Sequence, residues 1–261
     1  MNSDYTYNHS SQYSAKNYGG SKQYQSSGYA SKQNVFSSHI SVRMAFIRKV
    51  YAILTAQLVA TSLVAYLMAT NYRLQRLLLP FVGPSSIIGL VSVVALYFFA
   101  RKYPINMALL ALFTFCESLT LGALAAYSPE IALQALFLTS GMFVFLTIFT
   151  FQTKYELSNM RSILFMGLNM LSITALVGYF IPFLSVNELA ISLLGVSVFC
   201  GFIVYDTYMI SKTFSPDDYV LASVTLYLDI INVFVYIFRF LNEAKEKENR
   251  RKYKTAREDK D

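Results

Sequence analysis

The sequence predicts an all-α integral membrane protein, a seven-transmembrane-helix bundle. Two observations carry this. Of the 261 residues, 55% are hydrophobic and only 14% charged, which is too little charge to clothe a soluble chain of this length in a water-facing surface. Between Val50 and Asn242 the apolar residues also fall in long continuous runs separated by short polar breaks, and a hydrocarbon core of roughly 30 Å needs roughly 20 apolar residues per helix. The runs do not alternate and are about twice the length of a barrel strand, which excludes a transmembrane β-barrel.

Residues 1–42 are rich in Ser, Tyr, Gln, Asn and Gly. Such a segment cannot bury enough surface to offset its ordering entropy, so it is expected to be a disordered tail. The first 46 residues contain no apolar h-region, so no cleavable signal is expected and the first span serves as the insertion signal. The membrane domain occupies 43–242, with spans at about 47–69, 78–100, 105–127, 131–151, 162–183, 188–211 and 219–241. The second is the least regular, because Pro80 and Pro84 stand near its start. Residues 243–261 form a tail dense in charges of both signs, expected to be a solvated, partly helical extension.

Lys and Arg near the span ends set the orientation. A cytosolic N-terminus puts Arg43, Arg48, Lys49, Arg101, Lys102, Lys154, Arg161 and Lys212 inside and only Arg73 and Arg76 in the outer loops. Seven full spans then leave the basic C-terminal tail outside. Either that tail crosses regardless of its charge, or one run is re-entrant.

Three acidic residues lie well inside the spans: Glu117, Asp206 and Asp229. An ionised group at the centre of a membrane helix costs roughly 2.5–3.5 kcal/mol on insertion scales, so each needs a partner, a proton or water. Helical spacing places Thr225, Asn232 and Tyr236 on one stripe with Asp229. Asn106 and Thr120 fall near the face of Glu117, and Asn169 and Ser172 make a shorter patch. The face of Asp206 carries Phe202, Phe199 and Gly195, so its partners must come from another helix or from water. Two carboxylates brought together in a poorly solvated place cannot both ionise and would share a proton. Deprotonated, they would repel each other and attract a cation that favours oxygen ligands, such as calcium. The alternative is that each is protonated and simply joins helices. Arg101 has two readings as well: a side chain snorkelling to the headgroups, or a latch that pairs with a buried carboxylate.

Metal and disulfide chemistry find little support. His9 and His39 both lie in the N-terminal tail, leaving no histidine in a span, and Cys116 and Cys200 sit within apolar runs.

Three segments, "ARKYPINMALLALFTFCESLTLG", "GFIVYDTYMI" and "DDYVLASVTLYLDIINVFVYIFRFL", together with the span count, resemble the Bax inhibitor family, also called the lifeguard or transmembrane Bax inhibitor motif family. The resemblance covers about Val35 to Leu241. It implies a bundle whose last helix is central and wrapped by the other six. It further implies that Asp206 and Asp229 form a hydrogen-bonded pair governing a pH-sensitive calcium leak, and that Arg101 matches an arginine which latches the pair. Family members of eukaryotic membranes are linked to suppression of cell death and to endoplasmic-reticulum stress.

The expected function is therefore a proton-sensitive calcium leak and regulator of calcium homeostasis and cell death. Asp206 and Asp229 form the gate, with Glu117, Asn232, Thr225 and Tyr236 as secondary cation or hydrogen-bonding positions. The expected partners are the bilayer, calcium ions, protons and cell-death regulatory membrane proteins, with no nucleic acid and no cofactor. The endoplasmic reticulum is the expected membrane, with vacuole, Golgi and mitochondrion as alternatives. A non-conducting membrane protein that regulates such partners is the second reading. An enzyme is not expected: "LYLDII" lacks the Gly-x-Gly-Asp motif of presenilin-like proteases, and the spans lack the histidines of metal-dependent lipid hydrolases.

Overall fold

The computed structural model describes residues 40–153, 156–157, 159–181 and 187–258. The expected disordered tail up to residue 39 therefore lies outside the described residues, as does Lys154. Among the described residues all regular structure is helical: α1 Ile40–Thr70, α2 Tyr72–Leu78, α3 Val82–Phe99, α4 Ile105–Tyr127, α5 Pro129–Gln152, α6 Met160–Phe180, α7 Glu188–Lys212 and α8 Tyr219–Glu258. Among the described residues, seven helical stretches are long and apolar enough to cross a membrane, the second of them running from Tyr72 to Phe99.

Local chemistry explains the breaks. Asn71 separates α1 from α2, and its side chain accepts hydrogen bonds from the backbone N–H groups of Arg73 and Leu74 at 3.1 and 3.2 Å, satisfying donors that a helix start leaves free. Pro80 occupies a 3-10 turn, Leu79–Phe81, and Pro84 falls in the first turn of α3, where a missing N–H costs nothing. The two prolines thus shape the entry to this span without breaking it. Within the spans, hydroxyls such as those of Thr150, Thr174 and Ser197 donate to the carbonyl four residues earlier, so their polarity is absorbed by their own helix.

The last helix is the axis of the bundle. Two-thirds (67%) of its most apolar window is buried, against 11% for α6. It packs against α7, α5, α1 and α4, while α3 leans on α4 and α6 on α7. The wrapping is therefore uneven, with α3 and α6 as outer helices. Tyr227, Leu226 and Val224 of α8 meet Leu54, Phe113 and Ile203 in the core. Large apolar side chains such as Phe98, Phe145, Phe165 and Tyr179 face outward, as a lipid-facing exterior requires. Since lipid is as apolar as leucine, close van der Waals fit holds such helices together. Gly195 of α7 shows this: a Cβ there would collide with the Tyr236 ring of α8.

Ion pairs identify the two ends. Arg101 with Asp218, and Lys49 over the Tyr219 ring at 4.3 Å, lie at the end where α8 begins. Arg239 with Glu188, and Lys245 with Glu130, lie at the other. α8 continues unbroken for 40 residues, about 60 Å at 1.5 Å per residue. Residue 242 is therefore no structural boundary. As far as Glu258 the tail is the same helix, laced by Glu243–Lys247, Glu246–Arg250 and Glu248–Lys252 pairs at the i,i+4 spacing.

Candidate functional site: a carboxyl pair between α7 and α8

Asp206 lies six residues before the end of α7, and Asp229 ten residues into α8. The two helices run in opposite directions and pack together, which brings these positions to one level. Asp206 faces both Asp229 and Thr225 across the α7–α8 contact. Thr225 stands one turn before Asp229, so α8 presents both groups to α7. Asp229 is only 6% exposed, and its Oδ2 is buried without a hydrogen-bond donor. Tyr97 of α3 lies in the electrostatic field of both aspartates, and Arg161 of α6 acts on Asp206.

Chemically, two touching carboxyl groups repel when both are ionised and hydrogen-bond when they share one proton. The donorless Oδ2 of Asp229 is where such a proton, or a cation, is needed. Calcium takes 6–8 oxygen ligands. The pair and the Thr225 hydroxyl supply part of that shell, and water would have to supply the rest. Among the described residues no group of three or more His, Cys, Asp and Glu is placed to hold a metal.

A family model described as "Inhibitor of apoptosis-promoting Bax1" matches residues 43–246, all eight helices except the ends of α1 and α8. The chain belongs to the Bax inhibitor family. It is similar to Bax inhibitor 1 of Schizosaccharomyces pombe, with 42% identity over 80% of each chain. It is likewise similar to the Golgi anti-apoptotic protein of vaccinia virus strain Lister, 37% identical over 82% of this chain and 92% of that one. Mouse protein lifeguard 4 is 34% identical over 82% and 91%.

Within this member of the Bax inhibitor family, the remaining sequence-derived positions are scattered. Asn232 donates from Nδ2 to the Leu228 carbonyl at 2.8 Å. Tyr236, two turns beyond Asp229, stacks on Phe199 at 5.8 Å between centroids. The stripe on α8 therefore divides: Thr225 lies beside the pair with its hydroxyl donating to the Ala222 carbonyl at 3.2 Å, while Asn232 and Tyr236 have partners elsewhere. Glu117 lies against Gly89 of α3 and within the field of Tyr227. Asn106 does not join it. Its Nδ2 donates to the Ala100 carbonyl at 2.8 Å and closes the α3–α4 turn, while exposed Asn169 and Ser172 bond their own backbone.

Arg101 requires a correction to its expected place as a latch on the pair. Its Nε and Nη2 hold both oxygens of Asp218 at 2.7 and 2.8 Å. The cause is position: Arg101 follows the end of α3, is 48% exposed, and finds a carboxylate at the start of α8. Asp218 raises the arginine's pKa above its ordinary value, so the charge is fixed at every physiological pH.

The sequence reading overlooked a second polar assembly in this Bax inhibitor relative. The Tyr227 and Thr61 hydroxyls lie 2.7 Å apart, the Thr61 and Ser118 hydroxyls 3.2 Å apart, and Gln57 donates to Thr114 at 2.9 Å. Gln57 with Thr61, and Thr114 with Ser118, are each i,i+4 pairs on facing helices. That spacing was the available signal.

Proposed function

We propose that this chain is a non-enzymatic regulator of programmed cell death and calcium homeostasis in an intracellular membrane, the endoplasmic reticulum first, acting as a proton-sensitive calcium leak. The observation that carries the proposal is that Asp206 and Asp229, from neighbouring helices, face each other beside Thr225, with Asp229 buried. Protonated once, the pair holds α7 to α8. Doubly ionised, it repels and draws in a divalent cation. Because protons and calcium compete for the same oxygens, calcium should bind more tightly as pH rises. Glu117, one helix away, serves as a secondary cation position. The Arg101–Asp218 pair serves as a latch at the end of α8, remote from the gate. We place the N-terminus in the cytosol, since Arg43, Arg48, Lys49, Arg101, Lys102 and Arg161 gather at that end.

The test is calcium efflux from proteoliposomes across pH 5 to 8 with Asp206→Asn and Asp229→Asn. Loss of the pH dependence in both variants supports the gate. Efflux identical to the original protein's in both, with normal insertion, would sink it. One observation favours a second reading, a non-conducting regulator of cell-death or calcium-channel proteins: two of the relatives are named for Bax inhibition and anti-apoptosis. Purified protein that folds yet leaks nothing would favour that reading.

A further inference from the structure

A cleft of about 780 Å³ runs between α1 and α5, floored by Ile230 and Phe234 of α8, with none of its lining residues on α7. Its walls extend from Thr55 to Thr70 on α1 and from Pro129 to Val144 on α5. Each wall is fifteen residue steps long, about 22 Å. Among the described residues that line it, none carries a charge. Val59, Leu63, Leu133 and Val144 line it and are more than half exposed, so it opens sideways through the apolar exterior. Near Thr55 the lining includes Phe143, whose ring lies 6.4 Å from that of Tyr51, itself 6.4 Å from the Phe151 ring.

An apolar cleft at membrane depth excludes ions and water, and left empty it forfeits the dispersion contacts of its walls. Its filling must therefore be hydrocarbon. A spanning helix would need a face across the whole core of roughly 30 Å. This cleft instead ends at an aromatic plug after about one leaflet and its interface. The open end has a different character. One residue beyond Thr70, Asn71 caps α2, which packs on α1 and α4, two helices that line the cleft. Exposed on α2 are Arg73 and Arg76, neither with an ion-pair partner among the described residues. Arginine forks match phosphate oxygens.

We infer that the α1–α5 cleft is a phospholipid site: one acyl chain lies between the two helices and the phosphate sits at Arg73 and Arg76. The site is independent of the carboxyl pair, so either can fail without the other. The test uses the full-length protein in vesicles containing phosphatidylcholine with a diazirine on its acyl chain. After photolysis, peptides covering 59–66 and 133–144 should carry about tenfold more label than the lipid-facing segment 163–170 of α6, a preference worth about 1.4 kcal/mol. Ala65→Trp and Ser140→Trp, which fill the cleft, should bring labelling down to the α6 level. The surface pair Arg73→Glu and Arg76→Glu should lower it severalfold without touching the walls. Equal labelling of cleft and α6, or undiminished labelling in the arginine variants, overturns the site. So does a photocross-linker at Val59 that captures a second copy of the chain in place of lipid.

Discussion

Asp229 has a buried oxygen with no donor, and a single change supplies one. In Asp206→Asn, an amide of nearly the same shape can donate to the remaining carboxyl, so thermal unfolding in detergent at pH 8 should shift little or upward while the pH profile of calcium efflux flattens. A fall of many degrees would mean the pair is not a repulsive contact at that pH. The neighbouring assembly makes a contrasting prediction. Tyr227→Phe removes the bond to Thr61 and should cost about 0.6 kcal/mol, at most about 1.7, by equilibrium unfolding, the range measured for hydrogen bonds inside membranes. Asp206 and Asp229 were legible in the sequence because charge is rare there and each required a partner. Thr225 was legible from the helical period. The partners of Arg101 and Tyr236 were not, because a period says which residues share a face and nothing about which neighbour that face meets. Arg161 was read only as a marker of orientation, and its reach to Asp206 depends on how α6 leans on α7.

At the scale of elements, the fit between α7 and α8 depends on Gly195, which lets the Tyr236 ring lie directly on the α7 backbone. Gly195→Leu should drive the helices apart and cost about 1–3 kcal/mol, the usual penalty of overpacking. The same substitution at Gly141, where a Cβ meets nothing within 4 Å, should be nearly silent. The third, fourth and sixth spans were legible to within two residues at each end, since an apolar run states its own length, whereas α1 begins seven residues before the expected 47 and α8 runs on past 241. The helix α2 was not: it is seven residues long, too short for periodicity, and is fixed by the Asn71 cap. At the far end of α3, Arg101→Ala should cost only about 0.2–1 kcal/mol, as half-exposed ion pairs do. Arg101→Asp combined with Asp218→Arg should recover what either change alone loses.

For the whole molecule, the direction of seven crossings places Lys102 and Lys247 on opposite faces. Cysteines introduced there one at a time should react with an impermeant maleimide from opposite sides of sealed vesicles. Labelling of both from one side would mean that one helix re-enters. The sequence could not decide this, because the basic tail pulled against the span count. The unbroken α8 removes the need for a break in the last span. Truncation after Asn242 deletes the Lys245–Glu130 contact and leaves the carboxyl pair in place, so reconstituted efflux should persist; if cell survival is lost, the tail serves partners.

That continuity has a mechanical meaning. Asp229 and Lys245 are sixteen residues apart on one hydrogen-bonded rod, about 24 Å, and a rod neither shortens nor twists freely between them. A molecule that grips the charged overhang in water and turns it would turn Asp229 through the same angle, with no relay of side chains in between. The overhang is then a handle on the helix that carries Asp229.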